Sequence, residues 1–74
     1  MFEEVIEILS KFTTLKKEEM TKQSELISDL GLNSLDVINV IVAFEEKFFI
    51  EIPDSMIKDF NTIGDIVAYL EENV

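Results

Sequence analysis

The chain has 74 residues, with sixteen acids against six lysines and a net charge of −10, so the expectation is one domain, residues 1–74, with a marginal core. It has no cysteine and no histidine, which removes disulfides, thiolate metal sites, the usual general base and the near-neutral proton switch. The charge disfavours nucleic acid and anionic membrane, and no apolar run nears the ~18 residues of a membrane span.

Met1-Phe2-Glu3-Glu4 lacks the basic start of a secretory signal, so a cytoplasmic protein beginning at its own methionine is expected. The acids serve either solubility or a basic protein partner; composition leaves both open. At 47% hydrophobic residues, the content is too high for a disordered chain.

In chain order, Phe2, Val5, Ile6, Leu9 and Phe12 recur at helical spacing, with Ile8 on the shoulder and Glu3, Glu7, Ser10 and Lys11 opposite. This predicts an amphipathic helix of about three turns, ended by Thr13-Thr14. The stretch to Asn33 is polar and weakly patterned. Lys17-Glu18-Glu19-Met20 suits a single turn, and Leu26, Ile27 and Leu30 are the expected anchors to the core. Loops this long are often functional.

A second helix is predicted over 34–48. Asn33 is its N-cap and Asp36, three residues on, completes a variant capping box. Val37, Ile41, Phe44 and Phe48 line the expected core face, flanked by Ile38 and Val40. Leu35, Asn39, Val42 and Glu46 recur on the other face, beside Asp36 and Ala43. That face reads equally as scattered surface hydrophobes or as a docking stripe.

Pro53 pushes the residue before it out of the helix. Asp54 is the expected cap of a short helix to about Lys58 that buries Ile57 and Met56. Thr62-Ile63-Gly64-Asp65 has the spacing of a capping box for a last helix burying Ile63, Ile66, Val67, Leu70 and part of Tyr69, frayed from Glu71 onward. The expected fold is all-α: a four-helix bundle of three main helices and one short helix, with a long loop between the first two.

Catalysis by the chain itself is poorly supported. Serine chemistry needs an adjacent base, a paired-carboxylate mechanism needs a cleft that so small a body lacks, and no acid spacing matches a calcium loop. The reading is a protein that is not an enzyme and has no metal site. Modification by another enzyme is different, because the partner brings the base. Ser34 is placed for it: a first-turn serine, where unpaired N–H groups and the helix dipole favour a phosphodiester. Gly31 frees the preceding loop, and Asp29 and Asp36 can pair with basic residues of the modifying enzyme.

The segment Asp29-Leu30-Gly31-Leu32-Asn33-Ser34-Leu35-Asp36, with Phe44-Glu45-Glu46-Lys47-Phe48 and Glu51-Ile52-Pro53-Asp54, resembles the acyl carrier protein family. The resemblance spans nearly the whole chain and is weakest from Thr13 to Ser28. It implies that Ser34 carries 4′-phosphopantetheine, taken from coenzyme A by a phosphopantetheinyl transferase, and that the arm's thiol holds acyl groups as thioesters. It further implies a recognition set of Asp29, Gly31, Leu35, Asp36, Val42 and Glu46, facing acyl-processing synthase enzymes with basic docking surfaces. With no flanking linker, the chain is similar to the free-standing bacterial type: a monomer serving fatty acid or related biosynthesis.

Three departures stand out against that pattern. Asn33 replaces the aspartate usual before the serine, Asn39 replaces a mid-helix acid, and Phe49 stands where a polar residue is more usual. They leave the carrier role intact and point toward partners other than the common ones. A peptidyl or polyketide carrier of a specialised pathway is the nearer alternative, and an unmodified acidic interaction module the more distant one.

Overall fold

The computed structural model describes residues Met1–Val74. It contains α1 (Phe2–Leu9), a single 3₁₀ turn (Lys17–Glu19), α2 (Ser34–Phe48), α3 (Asp54–Ile57) and α4 (Ile63–Asn73). α1 packs on both α2 and α4, and α3 leans chiefly on α2. One cluster of seventeen buried apolar residues joins them, with Phe44, Leu9, Leu26, Ile63 and Leu70 at its centre.

α1 is shorter than its apolar pattern. The pattern runs to Phe12, but the helix stops at Leu9, and Lys11 N–H and Phe12 N–H turn back to the carbonyls of Ile8 and Leu9 in tighter i→i+3 bonds. Ser10 Oγ donates to the Glu7 carbonyl at 2.7 Å, the local side-chain bond that competes with helix continuation. Ile8 is buried rather than on the shoulder.

The long loop is irregular but firmly held. Met20, Leu26, Leu30 and Leu32 are buried, and so is Ser24, whose Oγ accepts from Thr21 N–H at 2.9 Å. Its backbone is bonded to the segment leading into α4. Leu26 N–H donates to Asn61 O, Ile63 N–H to Ser24 O and Gly64 N–H to Lys22 O, around an antiparallel bridge between Glu25 and Thr62. A Cβ on Gly64 would lie 2.9 Å from the Lys22 carbonyl oxygen, so only glycine lets the two backbones approach this closely. Thr13 Oγ1 closes the loop by donating to Leu30 O at 2.6 Å.

One expected anchor does not hold. Ile27 is 59% exposed, because Leu26 and Leu30 take the inward side of the turn and leave it on the outer one.

α2 runs over the predicted residues, and its core stripe is Val37, Val40, Ile41 and Phe44. Val40 is therefore core rather than flank, Ala43 packs against the core, and Phe48 is half-buried. Ile38, expected beside the core, is exposed. The helix ends at Phe49, which adopts a left-handed conformation at φ +56°. Phe49 N–H and Ile50 N–H both donate to Glu45 O, a closure that usually uses glycine; a side chain there costs about 1 kcal/mol. Glu45 Oε2 then accepts from Ile52 N–H at 2.8 Å, bracing the turn.

α3 departs most from expectation. Pro53, not Asp54, occupies its cap position, with no side-chain cap bond, and Asp54 is the first helical residue. Met56 and Ile57 are only half-buried. The segment is pinned instead by Ile52 and Phe60, buried on either side of it. α4 begins with the predicted box, Asp65 N–H donating to Thr62 Oγ1 and Thr62 N–H to Asp65 Oδ2. It buries Ile63, Ile66, Val67 and Leu70 and continues to Asn73 instead of fraying at Glu71; Asn73 Nδ2 donates to Tyr69 O at 2.8 Å.

Candidate functional site

The start of α2 is built by a reciprocal cap. Asp36 N–H donates to Asn33 Oδ1 at 2.8 Å, and Asn33 N–H donates to Asp36 Oδ2 at 3.2 Å. The box satisfies two end groups and fixes where the helix begins. Ser34 is the first residue inside it and is exposed. Its hydroxyl takes no part in the cap, and the Ser34 and Leu35 N–H groups stay unpaired, because the backbone bonding of α2 begins at Val37 N–H to Asn33 O. Unpaired first-turn N–H groups at the positive end of a fifteen-residue helix make a favourable setting for a negative group.

The approach to this serine is shaped by the loop before it. Gly31 sits at φ +73° with nothing within 4 Å of a notional Cβ, so the conformation, not crowding, requires glycine here. Its N–H donates to Ile27 O, and Leu32 N–H donates to Leu26 O, a nested pair that closes the turn and buries Leu32. Asp29 is committed to the same turn: its Oδ2 accepts from Glu25 N–H at 2.7 Å. Asp29 and Asp36 therefore each use one carboxylate oxygen on local backbone and leave the other without a hydrogen-bond partner.

Ser34 opens on a groove of about 630 Å³ between α2 and α3. Its apolar lining is Ile27, Val37, Ile38, Ile57 and Phe60, with Asp54, Lys58 and Asn61 as its polar lining. Ile27 and Ile38, the two residues that left the expected core, are part of this wall. Phe60 is the residue that sequence patterning missed here: it follows a short helix and belongs to no run of its own, and its T-shaped contact with Tyr69 at 5.5 Å depends on α4.

The outer face of α2 is as the pattern places it. Leu35 is 65% exposed, and Val42, Asn39 and Glu46 are exposed along the same helix. The fold thus brings Ser34, Leu35, Asp36, Gly31 and Asp29 together at one end of α2, with Val42 and Glu46 two and three turns away.

Residues 3–70 match the family described as "Phosphopantetheine attachment site". The acyl carrier protein of Wolinella succinogenes is 40% identical over 73 residues, covering 99% of this chain and 96% of its own. The acyl carrier protein of Helicobacter pylori is 38% identical over 73 residues, covering 99% and 94%. Among solved structures, an acyl carrier protein from Enterococcus faecalis superposes with a TM-score of 0.86 at 26% identity, covering 99% of this chain and 92% of that one.

The chain belongs to the acyl carrier protein family, whose members bear a 4′-phosphopantetheine group. Its function is that of a carrier of acyl groups. The start of α2 fits that group chemically, since a phosphodiester suits the unpaired N–H groups, the polar lining of the groove suits the amides of the arm, and its apolar wall suits an acyl cargo. No helix is long and apolar enough to cross a membrane.

Proposed function

We propose that Ser34 is the residue that carries 4′-phosphopantetheine, and that residues 1–74 form a single carrier domain working as a monomer in the cytoplasm. The observation that supports this most directly is an exposed serine hydroxyl, uncommitted to the cap, beside two unpaired N–H groups and at the mouth of an apolar groove. The chain itself is not an enzyme on this reading. A phosphopantetheinyl transferase supplies the base that takes the Ser34 proton. Ser34 Oγ then forms a bond to the pantetheine-bearing phosphorus of coenzyme A, and the pyrophosphate bond breaks to release 3′,5′-bisphosphoadenosine. The group's terminal thiol supplies the thioester chemistry.

The protein's own residues do the rest. The Asn33–Asp36 box holds Ser34 at a fixed helix start. Asp29 and Asp36 offer their remaining oxygens to basic residues of a partner, Glu46 adds charge further along α2, and Leu35 and Val42 supply short-range apolar contact. Gly31 holds the approach open. The groove shelters an apolar acyl tail against Ile27, Ile38 and Ile57. Fatty acid biosynthesis is the pathway we assign. Asn33 and Asn39, which thin the charge along α2, favour a specialised pathway as the second reading.

Intact-mass measurement after incubation with coenzyme A and a phosphopantetheinyl transferase tests the assignment. Wild type should gain one phosphopantetheine and Ser34→Ala none, with an unchanged fold because only an exposed hydroxyl is removed. A modified alanine variant would overturn it.

A further inference from the structure

Phe49 is disfavoured twice in the isolated chain. It is the only residue other than glycine with positive φ, and it is 92% exposed, more than any other large apolar residue. Glycine or asparagine would close α2 with less strain, and either would spare water an aromatic surface. Strained backbone of this kind concentrates at functional positions.

The turn that presents the ring is not loose. Glu45 binds it from both sides, its carbonyl accepting from Phe49 and Ile50 N–H and its carboxylate from Ile52 N–H. An aromatic ring held out on a braced turn loses little freedom on docking, and aromatic anchors in pockets dominate interface energetics. Its neighbours in sequence are mostly acidic: Glu45, Glu46 and Glu51 against Lys47.

We propose that Phe49 is a docking anchor that enters an apolar pocket rimmed by basic residues on an acyl-processing partner enzyme. The pocket lies about 20 Å along α2 from the one that meets Ser34. Charge selects this occupant. A second copy brings another −10 and an anionic bilayer is repelled, whereas a basic rim complements the glutamates. The inference rests on the carrier reading and adds to it a specificity-determining residue at the opposite end of α2.

Phe49→Asn and Phe49→Gly test it, since both residues suit the left-handed backbone and should melt no lower than wild type. Each is loaded with coenzyme A and a phosphopantetheinyl transferase, then titrated against a purified acyl-condensing synthase from the source organism. The expected result is a KM raised about tenfold with kcat little changed, and near-wild-type KM in Phe49→Met. A loaded Phe49→Asn variant with wild-type KM overturns the anchor alone, whereas a wild type that accepts no group overturns the carrier reading beneath it. Phe49-dependent dimers in sedimentation, or Phe49-dependent binding to phosphatidylcholine vesicles, would replace the enzyme pocket by another occupant and also overturn the proposal.

Discussion

The loop between α1 and α2 and the short helix α3 invert the usual relation between regular structure and anchorage. The loop has one 3₁₀ turn, yet it buries Met20, Ser24, Leu26, Leu30 and Leu32 and bonds its backbone to the start of α4. α3 is helical but buries none of its four residues and has no side-chain cap. A helix of one turn cannot stand by itself, and this one leans on α2 between two buried neighbours, Ile52 and Phe60. The difference suits a carrier. The firm loop sets Ser34 in place through Gly31 and Leu32, while the weakly held α3 forms the side of the groove that can yield to a cargo.

The largest effect should come from breaking the firm side. Leu26→Ala removes a fully buried side chain and should cost about 2–5 kcal/mol, a large share of the stability that a core of seventeen residues supplies. Ile57→Ala, on the half-buried wall, should cost about 1 kcal/mol. Denaturant unfolding of the two variants decides: equal losses would remove the contrast.

Gly64→Ala probes the seam that holds the loop. A methyl group 2.9 Å from the Lys22 carbonyl meets backbone, not a flexible side-chain tip, so the seam must open at a cost of about 1–3 kcal/mol. Amide exchange should speed up at Leu26 and Ile63, whose N–H groups bond across it, and remain slow in α2. Uniform acceleration would mean global rather than local loosening.

Acylation sharpens the comparison from the other side. Sheltering two or three methylenes of a thioester-bound chain between α2 and α3 is worth about 2 kcal/mol, gained only by the folded state. Melting temperature should rise from holo to acylated protein, and amide exchange should slow at α3 more than in the loop. An acylated form that melts with the holo form would place the chain in solvent.

The smallest effect concerns pH. Lys17 beside Glu7, through a hydrogen bond and its charge, holds the Glu7 carboxyl below the usual range. A lowered folded-state value adds stability above the ordinary carboxyl range, and that stability is lost as pH falls through the lowered value. Glu7→Gln should therefore melt slightly below wild type at neutral pH and together with it once the Glu7 carboxyl is protonated in the folded and unfolded chain alike. The pair is exposed, so the gap should be barely measurable and should vanish in salt.

Legibility in the sequence divides along the same line. The α2 and α4 starts are legible because a capping box is a contact between residues three apart, and both boxes form as spaced. Ser34, Leu35 and Val42 are exposed as their helix face requires. The groove is not legible. Ile27 and Ile38 read as core by type and spacing, and they line an open wall because Leu26, Leu30 and Val40 fill the interior first. Phe60 carries no periodic signal, and nothing in the spacing of Glu45 shows that it braces the turn after α2 rather than facing a partner.

The sequence by itself determined the all-α class, the starts of α2 and α4, the serine at the first of these and the family frame around it, since each depends on neighbours within about one helical turn. Only the tertiary structure decided which apolar side chains are core and which line the groove, that the long loop buries side chains of its own and the short helix none, and that Gly64 must stay bare. Those outcomes depend on surfaces brought together from distant parts of the chain. For an apolar residue, local spacing says which face it shares, not whether another element arrives to cover that face.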